Sequence, residues 1–328
     1  MTRSTDNKRI APIPGLVSHR AEAGQSPENA GRSTLKYSQK AMATIYELFL
    51  QHEEPTYAAQ AASACFALLQ EIEQELSRFI PGSDVSAIAD LRRGEKMVLG
   101  PHTFACLTTA QKVAQETGGA FDIAYLSKQE APGTERSPAE DPLFRLDDGN
   151  RVIQSQTDRL LLDLGGIGKG YALDSMAETL REWELDQALL QGGRSSLLAL
   201  GPPQHADGWA LTISHPDQGV GQLASITLEN QAMGASGIMK GPHIRAPLGS
   251  DSPGIGPIRA AWSLGKSAAE MDALSTAAML VSEPILVACC QRFDCSVARL
   301  VSAPAEAVPV PGDQLLLYGA RRDLFVPV

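Results

Sequence analysis

The chain has 328 residues, 43% hydrophobic and 20% charged, which suffices for one large domain or two ordinary ones around a sizeable core. A net charge of −10 and a pI near 5.1 argue against a general nucleic-acid or anionic-membrane partner, although a local basic pocket for an anionic ligand remains compatible with them. No run of about eighteen apolar residues exists, and the N-terminal stretch has neither the apolar core of a signal peptide nor a lipid-attachment cysteine, so no membrane segment and a cytoplasmic location are expected.

Residues 1–40 are rich in Ser, Pro, Gly, Asn and charge without an apolar period, which predicts a disordered or loosely draped arm, with order starting near Met42. Ala43–Leu50 reads as a strand. Thr56–Phe79 places Ala64, Leu68, Ile72, Leu76 and Phe79 at helical spacing, and the helix must end before Pro81-Gly82. A second helix is predicted over Thr103–Thr117, closed by Gly118-Gly119, and Ser127–Pro142 reads as a polar loop. Strands are expected at Arg151–Gln154 and Arg159–Asp163, then a helix over Ile167–Trp183. Ala188–Gln191, Ser196–Leu200, Trp209–Ser214, Leu223–Leu228 and Arg259–Leu264 are short apolar segments between turn residues, as in an antiparallel sheet, and Ala268–Val281 reads as a helix. Helices group with strands rather than alternating with them, and no linker divides the chain. The expected class is therefore α+β, a single domain over residues 41–328 with a mainly antiparallel sheet and packed helices. The five cysteines, Cys65, Cys106, Cys289, Cys290 and Cys295, lack paired C-x-x-C spacing and sit mostly among apolar neighbours, which predicts buried free thiols.

Leu161–Asp174, reading LLDLGGIGKGYALD, is the most informative stretch. A short apolar run carrying Asp163 meets glycines at 165, 166, 168 and 170, with Lys169 beside the amides that open the next helix. Such a turn suits a pyrophosphate. A plain strand-to-helix turn with a solvated lysine fits the same residues. Neither a P-loop nor the dinucleotide fingerprint explains it: Asp163 and Gly170 stand where a P-loop needs Gly and Ser or Thr, and Gly166-Ile167-Gly168 lacks the third glycine.

Separated segments then fall into one ordered pattern that resembles the ApbE family, the magnesium-dependent FAD:protein FMN transferases. Ala41-Met42-Ala43-Thr44 is similar to the family's opening Met-Gly-Thr strand. Leu76-Ser77-Arg78-Phe79 with Pro81, Ser83 and Asp84 is similar to its Leu-Ser-x-aromatic-x-Pro-x-Ser segment, and Thr117–Asp122 to its T-x-G-A-F-D. Leu162–Asp174 is close to L-D-L-G-G-I-A-K-G-Y-A-V-D, Gln191-Gly192-Gly193 matches the start of G-G-D, and Asp272–Thr276 matches D-A-L-[AS]-T. The resemblance covers roughly residues 41–300 and implies an ApbE-like fold.

It also implies transfer of FMN from FAD to a Thr or Ser hydroxyl of a target flavoprotein, with release of AMP. That chemistry breaks a pyrophosphate, so charge on two phosphates must be neutralised and an acceptor hydroxyl oriented. By resemblance Mg²⁺ would take Asp272 and Thr276, at i and i+4 of one helix, and the Gly166 carbonyl; Met42, Phe79, Ala120, Phe121, Asp122, Asp163 and Lys169 would line the FAD site. His243 would activate or orient the acceptor, and Ser236-Gly237 would form a pocket wall. Plainer roles fit the same residues: Asp272 as a helix N-terminal carboxylate, Thr276 bonded back to its own helix, Met42 and Phe79 as core, and His243 satisfied by a loop carbonyl.

Three departures remove carboxylates or shorten a loop. Arg194 stands in place of the Asp of G-G-D, Ala246 replaces the Asp of His-Ile-x-Asp-Pro, and Leu248-Gly249 is one residue short after Pro247. They bear on turnover more than on fold, so FAD pyrophosphate hydrolysis to FMN and AMP, and flavin binding with impaired catalysis, stand as alternatives. No Asp-x-x-[Ser/Thr]-Gly-Ala-[Ser/Thr] acceptor motif occurs in the chain, which places the target on another protein.

Overall fold

A computed structural model describes residues 17–18, 33–130, 142–217, 220–238, 257–302 and 313–327. The chain opens with β1 (Val17–Ser18), β2 (Ser33–Ala41) and β3 (Thr44–His52), followed by α1 (Pro55–Leu76), α2 (Asp84–Ile88), β4 (Lys96–Val98), α3 (Pro101–Glu116) and α4 (Tyr125–Glu130). β5 (Phe144–Asp147) and β6 (Val152–Ser155) lead to α5 (Gly168–Glu182), β7 (Ala188–Gly192), β8 (Ser196–Leu200), β9 (Trp209–Ser214), β10 (Gln222–Leu228) and β11 (Ala232–Gly237). β12 (Ile258–Gly265), α6 (Ala268–Ala277), α7 (Glu283–Arg292), β13 (Ser296–Val301), β14 (Gln314–Gly319) and β15 (Val326–Pro327) complete it.

An eight-stranded antiparallel sheet, in the order β14-β13-β12-β11-β8-β7-β3-β2, is the spine. Its central strands are buried on both faces, because the two-residue period of a strand sends alternate side chains into two different cores. Leu190, Leu198 and Ala261 face the helices α1, α3, α5 and α6, whereas Leu189, Leu197, Met233 and Trp262 face a four-stranded sheet, β1-β9-β10-β15. Trp209, Leu211, Ile226 and Phe325 fill that second core. A three-stranded sheet, β4-β6-β5, shares no strand with either and packs Phe144 and Ile153 into the helical core. The result is one α+β domain with a large antiparallel sheet.

The helices are set by local chemistry. Pro55 opens α1 with its φ already helical, and Ala58, Ala61, Ala62, Cys65, Leu69, Ile72 and Leu76 form its buried stripe. Glu75, near the end of α1, accepts the His102 and Thr103 N–H groups at 3.0 Å each and so caps α3 from a neighbouring helix. Gly118 and Gly119, at φ of 61° and 82°, close α3 as expected from the sequence.

Several expectations need correction. Residues expected to lie in the arm are paired: β2, from Ser33, pairs along its whole length with β3, and Val17-Ser18 pairs with β9. As an edge strand β2 offers only Leu35, Tyr37 and Ala41 as apolar alternates, too few to signal a strand. Arg159–Asp163 is not a strand. Leu160, Leu162 and Leu164 are buried, but the backbone bonds to Ser127 and to the Ile123 carbonyl instead of joining a ladder. β11 (AMGASG) has too little side chain to read as a strand because α6 lies directly on it: a Cβ on Gly234 would stand 2.2 Å from the Met271 carbonyl oxygen. α7, β13 and β14 were likewise not anticipated. His243, Ala246 and the shortened turn after Pro247 lie outside the described residues. Among the described residues no helix is long and apolar enough to cross a membrane.

The β2–β3 hairpin turns through Met42 and Ala43 at φ of 49° and 58°, a left-handed pair normally given to Asn-Gly. Replacing Ala43 by glycine is expected to relieve the Cβ clash and raise stability by about 0.5–1 kcal/mol. The midpoint of urea unfolding should rise accordingly; an unchanged or lower midpoint would show that the turn carries no strain.

Candidate functional site

The glycine loop is wound tightly onto the start of α5. The Ile167 and Gly168 N–H groups both donate to the Leu164 carbonyl, at 3.1 and 2.7 Å, and the Asp163 carboxylate accepts the Gly165 N–H at 2.9 Å. Asp163 also accepts the Tyr125 hydroxyl at 3.0 Å and pairs with Arg78 at 3.6 Å. One carboxylate thus ties the loop to α4 and to the segment after α1.

Asp272 lies in the second turn of α6 and is only 3% exposed. One carboxylate oxygen accepts the Ser196 hydroxyl at 2.9 Å; the other accepts the Lys169 ammonium and the Gly170 N–H, at 3.2 Å each. Lys169 also donates to the Gly165 carbonyl at 3.1 Å. A buried carboxylate is tolerable only when paired and hydrogen-bonded, and here the glycine loop supplies both the cation and the amide. Gly170 makes this approach possible, since a Cβ there would stand 2.1 Å from the Ala268 carbonyl oxygen. Asp174, one turn further along α5, accepts the Ser267 hydroxyl and the Ala268 and Ala269 N–H groups at 2.7–2.9 Å, capping α6 from outside. Burial raises the Asp174 pKa, and those three donors oppose the rise.

Thr276 stands one turn beyond Asp272. Its hydroxyl is 3.0 Å from the Ser236 hydroxyl, which is 2.8 Å from that of Ser275. The expected back-bond also exists, at 3.5 Å to the Asp272 carbonyl, so Thr276 is only weakly committed to its own helix. Gly166 completes the group: a Cβ there would stand 3.3 Å from the Thr276 hydroxyl and 3.2 Å from the Phe121 ring. Three separated segments therefore meet, bringing Gly166, Lys169, Asp272, Thr276 and Phe121 together.

Met42 reaches the same place from the β2–β3 turn. Its methyl would lie 3.2 Å from a Cβ on Gly168, its sulfur accepts the Tyr46 hydroxyl at 3.1 Å, and its N–H donates to Glu73 at 2.6 Å. The Tyr46 phenol is pushed far above its usual range, by burial first and then by the charges of Asp272 and Glu73. Phe79 is 79% exposed and so is not a core residue; the Arg78 guanidinium covers its ring at 4.7 Å. Asp122 is engaged locally, accepting the Ala124 N–H at 2.9 Å and pairing with Lys128 at 2.7 Å, and half-buried Ala120 precedes Phe121 at the end of the α3 cap. Arg194 is exposed in the β7–β8 turn, with Glu47 as a nearby opposite charge. Ser196 and Ser275 were not anticipated as partners of the site. Ser196 carries only the signal of a hydroxyl within an apolar strand, and Ser275 lies inside the Asp272–Thr276 match without a role assigned to it there.

Among the described residues no three His, Cys, Asp or Glu side chains gather as a metal site. The donors at hand are the Asp272 carboxylate, the Thr276 hydroxyl and the carbonyls of the glycine loop. A hard-oxygen set of this kind has the donor chemistry that magnesium prefers.

Residues 42–299, well over half of the chain, match the model of the ApbE family. Among solved structures, the flavin transferase ApbE from Vibrio cholerae is 20% identical with a TM-score of 0.74, the match covering 90% of this chain and 100% of that one. The Pseudomonas stutzeri flavinyl transferase ApbE in its apo form is 19% identical, with a TM-score of 0.74 and coverage of 90% and 97%. The ApbE protein from Thermotoga maritima is 20% identical, with a TM-score of 0.72 and coverage of 90% and 99%. Among curated proteins no sequence matches.

Because a methyl group at Gly170 would collide with backbone, neither helix can yield by a rotamer change. Gly170→Ala is expected to cost about 1–3 kcal/mol or more and to lower the thermal midpoint. An unchanged midpoint would mean that α5 and α6 do not meet there.

Proposed function

The chain belongs to the ApbE family, and from that premise we propose that it transfers FMN from FAD to a threonine or serine hydroxyl of a target flavoprotein, releasing AMP, with Mg²⁺ as cofactor. The observation that carries this reading is the buried Asp272 carboxylate, held by Lys169 and the Gly170 amide of the glycine loop, with Thr276 and Gly166 beside it.

Asp272, Thr276 and the Gly166 carbonyl would hold the ion. When bound, Mg²⁺ draws charge from the pyrophosphate oxygens and lowers the cost of loading more onto them. Lys169 holds Asp272 and the Gly165 carbonyl at more than 3 Å, so its ammonium is free to turn to a phosphate oxygen of the substrate. Met42, Phe121 and the exposed ring of Phe79 give the flavin and adenine apolar surfaces, and Ala120, Asp122 and Asp163 complete the wall. The Arg78 guanidinium, between Phe79 and Asp163, adds a second cation at the rim. His243 takes the proton of the acceptor hydroxyl as that oxygen bonds to the FMN phosphorus and the bond to the bridging oxygen breaks, so AMP leaves. Arg194, in place of a carboxylate, adds positive charge at the exposed β7–β8 turn.

The test uses the purified protein, FAD, Mg²⁺ and a peptide carrying the Asp-x-x-Thr-Gly-Ala-Thr motif, following flavin on the peptide and AMP in solution. Flavinylated peptide should form, stop on chelation, and fall by about 10²-fold or more in Asp272→Ala. FMN and AMP without labelled peptide would show hydrolysis instead. Labelling that survives Asp272→Ala at full rate would remove the metal site from the account.

A further inference from the structure

Cys290 and Cys295 occupy the two interacting positions of a helix stop. α7 ends at Arg292 with Phe293 as its cap, Asp294 follows at φ 47°, and the Cys295 N–H returns to the Cys290 carbonyl at 3.0 Å. This is the six-to-one bond of a Schellman motif, which brings together the side chains of the third-last helical residue and the second residue beyond the cap. That contact is ordinarily apolar; here both partners are thiols. The Cys295 thiol lies 4.0 Å from the Cys289 carbonyl, and the Schellman geometry sets its side chain beside that of Cys290.

The surroundings make the two thiols unequal. The hydrogen bond from Cys295 and the charge of Arg299 pull the Cys290 pKa below that of an ordinary thiol, against the opposing effect of burial. The same hydrogen bond and burial push Cys295 far upward. Arg299 is fully buried; its guanidinium donates to the Ala278 and Val281 carbonyls at 2.7 Å, lies over the Tyr318 ring at 5.5 Å and feels the charge of Glu283. An anion at Cys290 would offset that charge. Both cysteines also line a cavity of about 660 Å³ whose wall includes Arg321 and Arg322, which admits a small oxidant.

We propose that Cys290 and Cys295 form a reversible thiol–disulfide site that reacts with hydroperoxides, Cys290 attacking and Cys295 resolving. With hydrogen peroxide, the Cys290 thiolate bonds to one oxygen, the O–O bond breaks and hydroxide leaves, giving the sulfenic acid. The Cys295 sulfur then bonds to the Cys290 sulfur, the S–O bond breaks, and the departing oxygen takes the Cys295 proton and leaves as water. The thiols lose two electrons and the peroxide gains two. A dithiol reverses the step.

The site does not depend on the flavin-transfer reading, and its test uses the full-length protein without flavin. After treatment with hydrogen peroxide and alkylation of remaining thiols, trypsin cleaves at Arg292 and separates Ser267–Arg292 from Phe293–Arg299. The two peptides should remain joined until dithiothreitol is added, in wild type and in Cys289→Ser, and should be lost as a pair in Cys290→Ser and Cys295→Ser. In Cys295→Ser, dimedone should label Cys290, which a variant that merely misfolded would not do selectively. Oxidation of separate thiols without linkage, or linkage that survives in Cys290→Ser, would overturn the proposal.

Discussion

A carboxylate buried where three elements meet sets the terms for the rest of the molecule. Asp272 is stabilised only because Lys169 and the Gly170 amide arrive from the start of α5 and Ser196 from the edge of β8. Removing one partner from such a pair typically costs about 3–5 kcal/mol, so α5, α6 and β8 are held in one arrangement by electrostatics as well as by packing. Gly170 and Gly234 let the backbones approach on either side of α6, and Asp174 fixes the direction of that helix by capping it. The glycine loop is thereby positioned by the same contacts that satisfy the carboxylate.

The large sheet supplies the rigidity behind this arrangement. Its central strands are sealed between the helical core and the second sheet, so β7, β8 and β11 present their ends to the site without freedom to slide. The residues best suited to meet a substrate lie at the margin of that rigid body: the strained Met42–Ala43 turn, the exposed Phe79 under Arg78, and the Asp163 tether between the glycine loop and Tyr125. A rigid carboxylate and amide frame with an apolar, cation-bearing rim is the arrangement on which the proposed flavin site rests.

Much of this was legible in the sequence, for physical reasons particular to each element. The stripe of α1, the glycine stop after α3 and the apolar segments at β7, β8, β9, β10 and β12 are strong local signals, and the structure has each of them. The glycine loop and the Asp272–Thr276 spacing pointed to two halves of one cluster, and the fold brings them into hydrogen-bond contact. What escaped depends on tertiary context. β11 is poor in side chain because α6 covers it, the Leu160–Leu164 run is apolar because it is buried rather than because it pairs, and β2 is an edge strand with little alternation. Ser196 and Ser275 became visible as partners of the site only once their neighbours were known.

The most direct test of the central claim is a crystal structure of the protein grown with FAD and Mn²⁺ in place of Mg²⁺, read by the anomalous signal of the metal. The account predicts a peak ligated by Asp272 and Thr276, with the pyrophosphate beside Lys169 and the Lys169–Asp272 contact opened. A metal bound elsewhere, or FAD seated with Lys169 still on Asp272 and no metal beside it, would contradict the account.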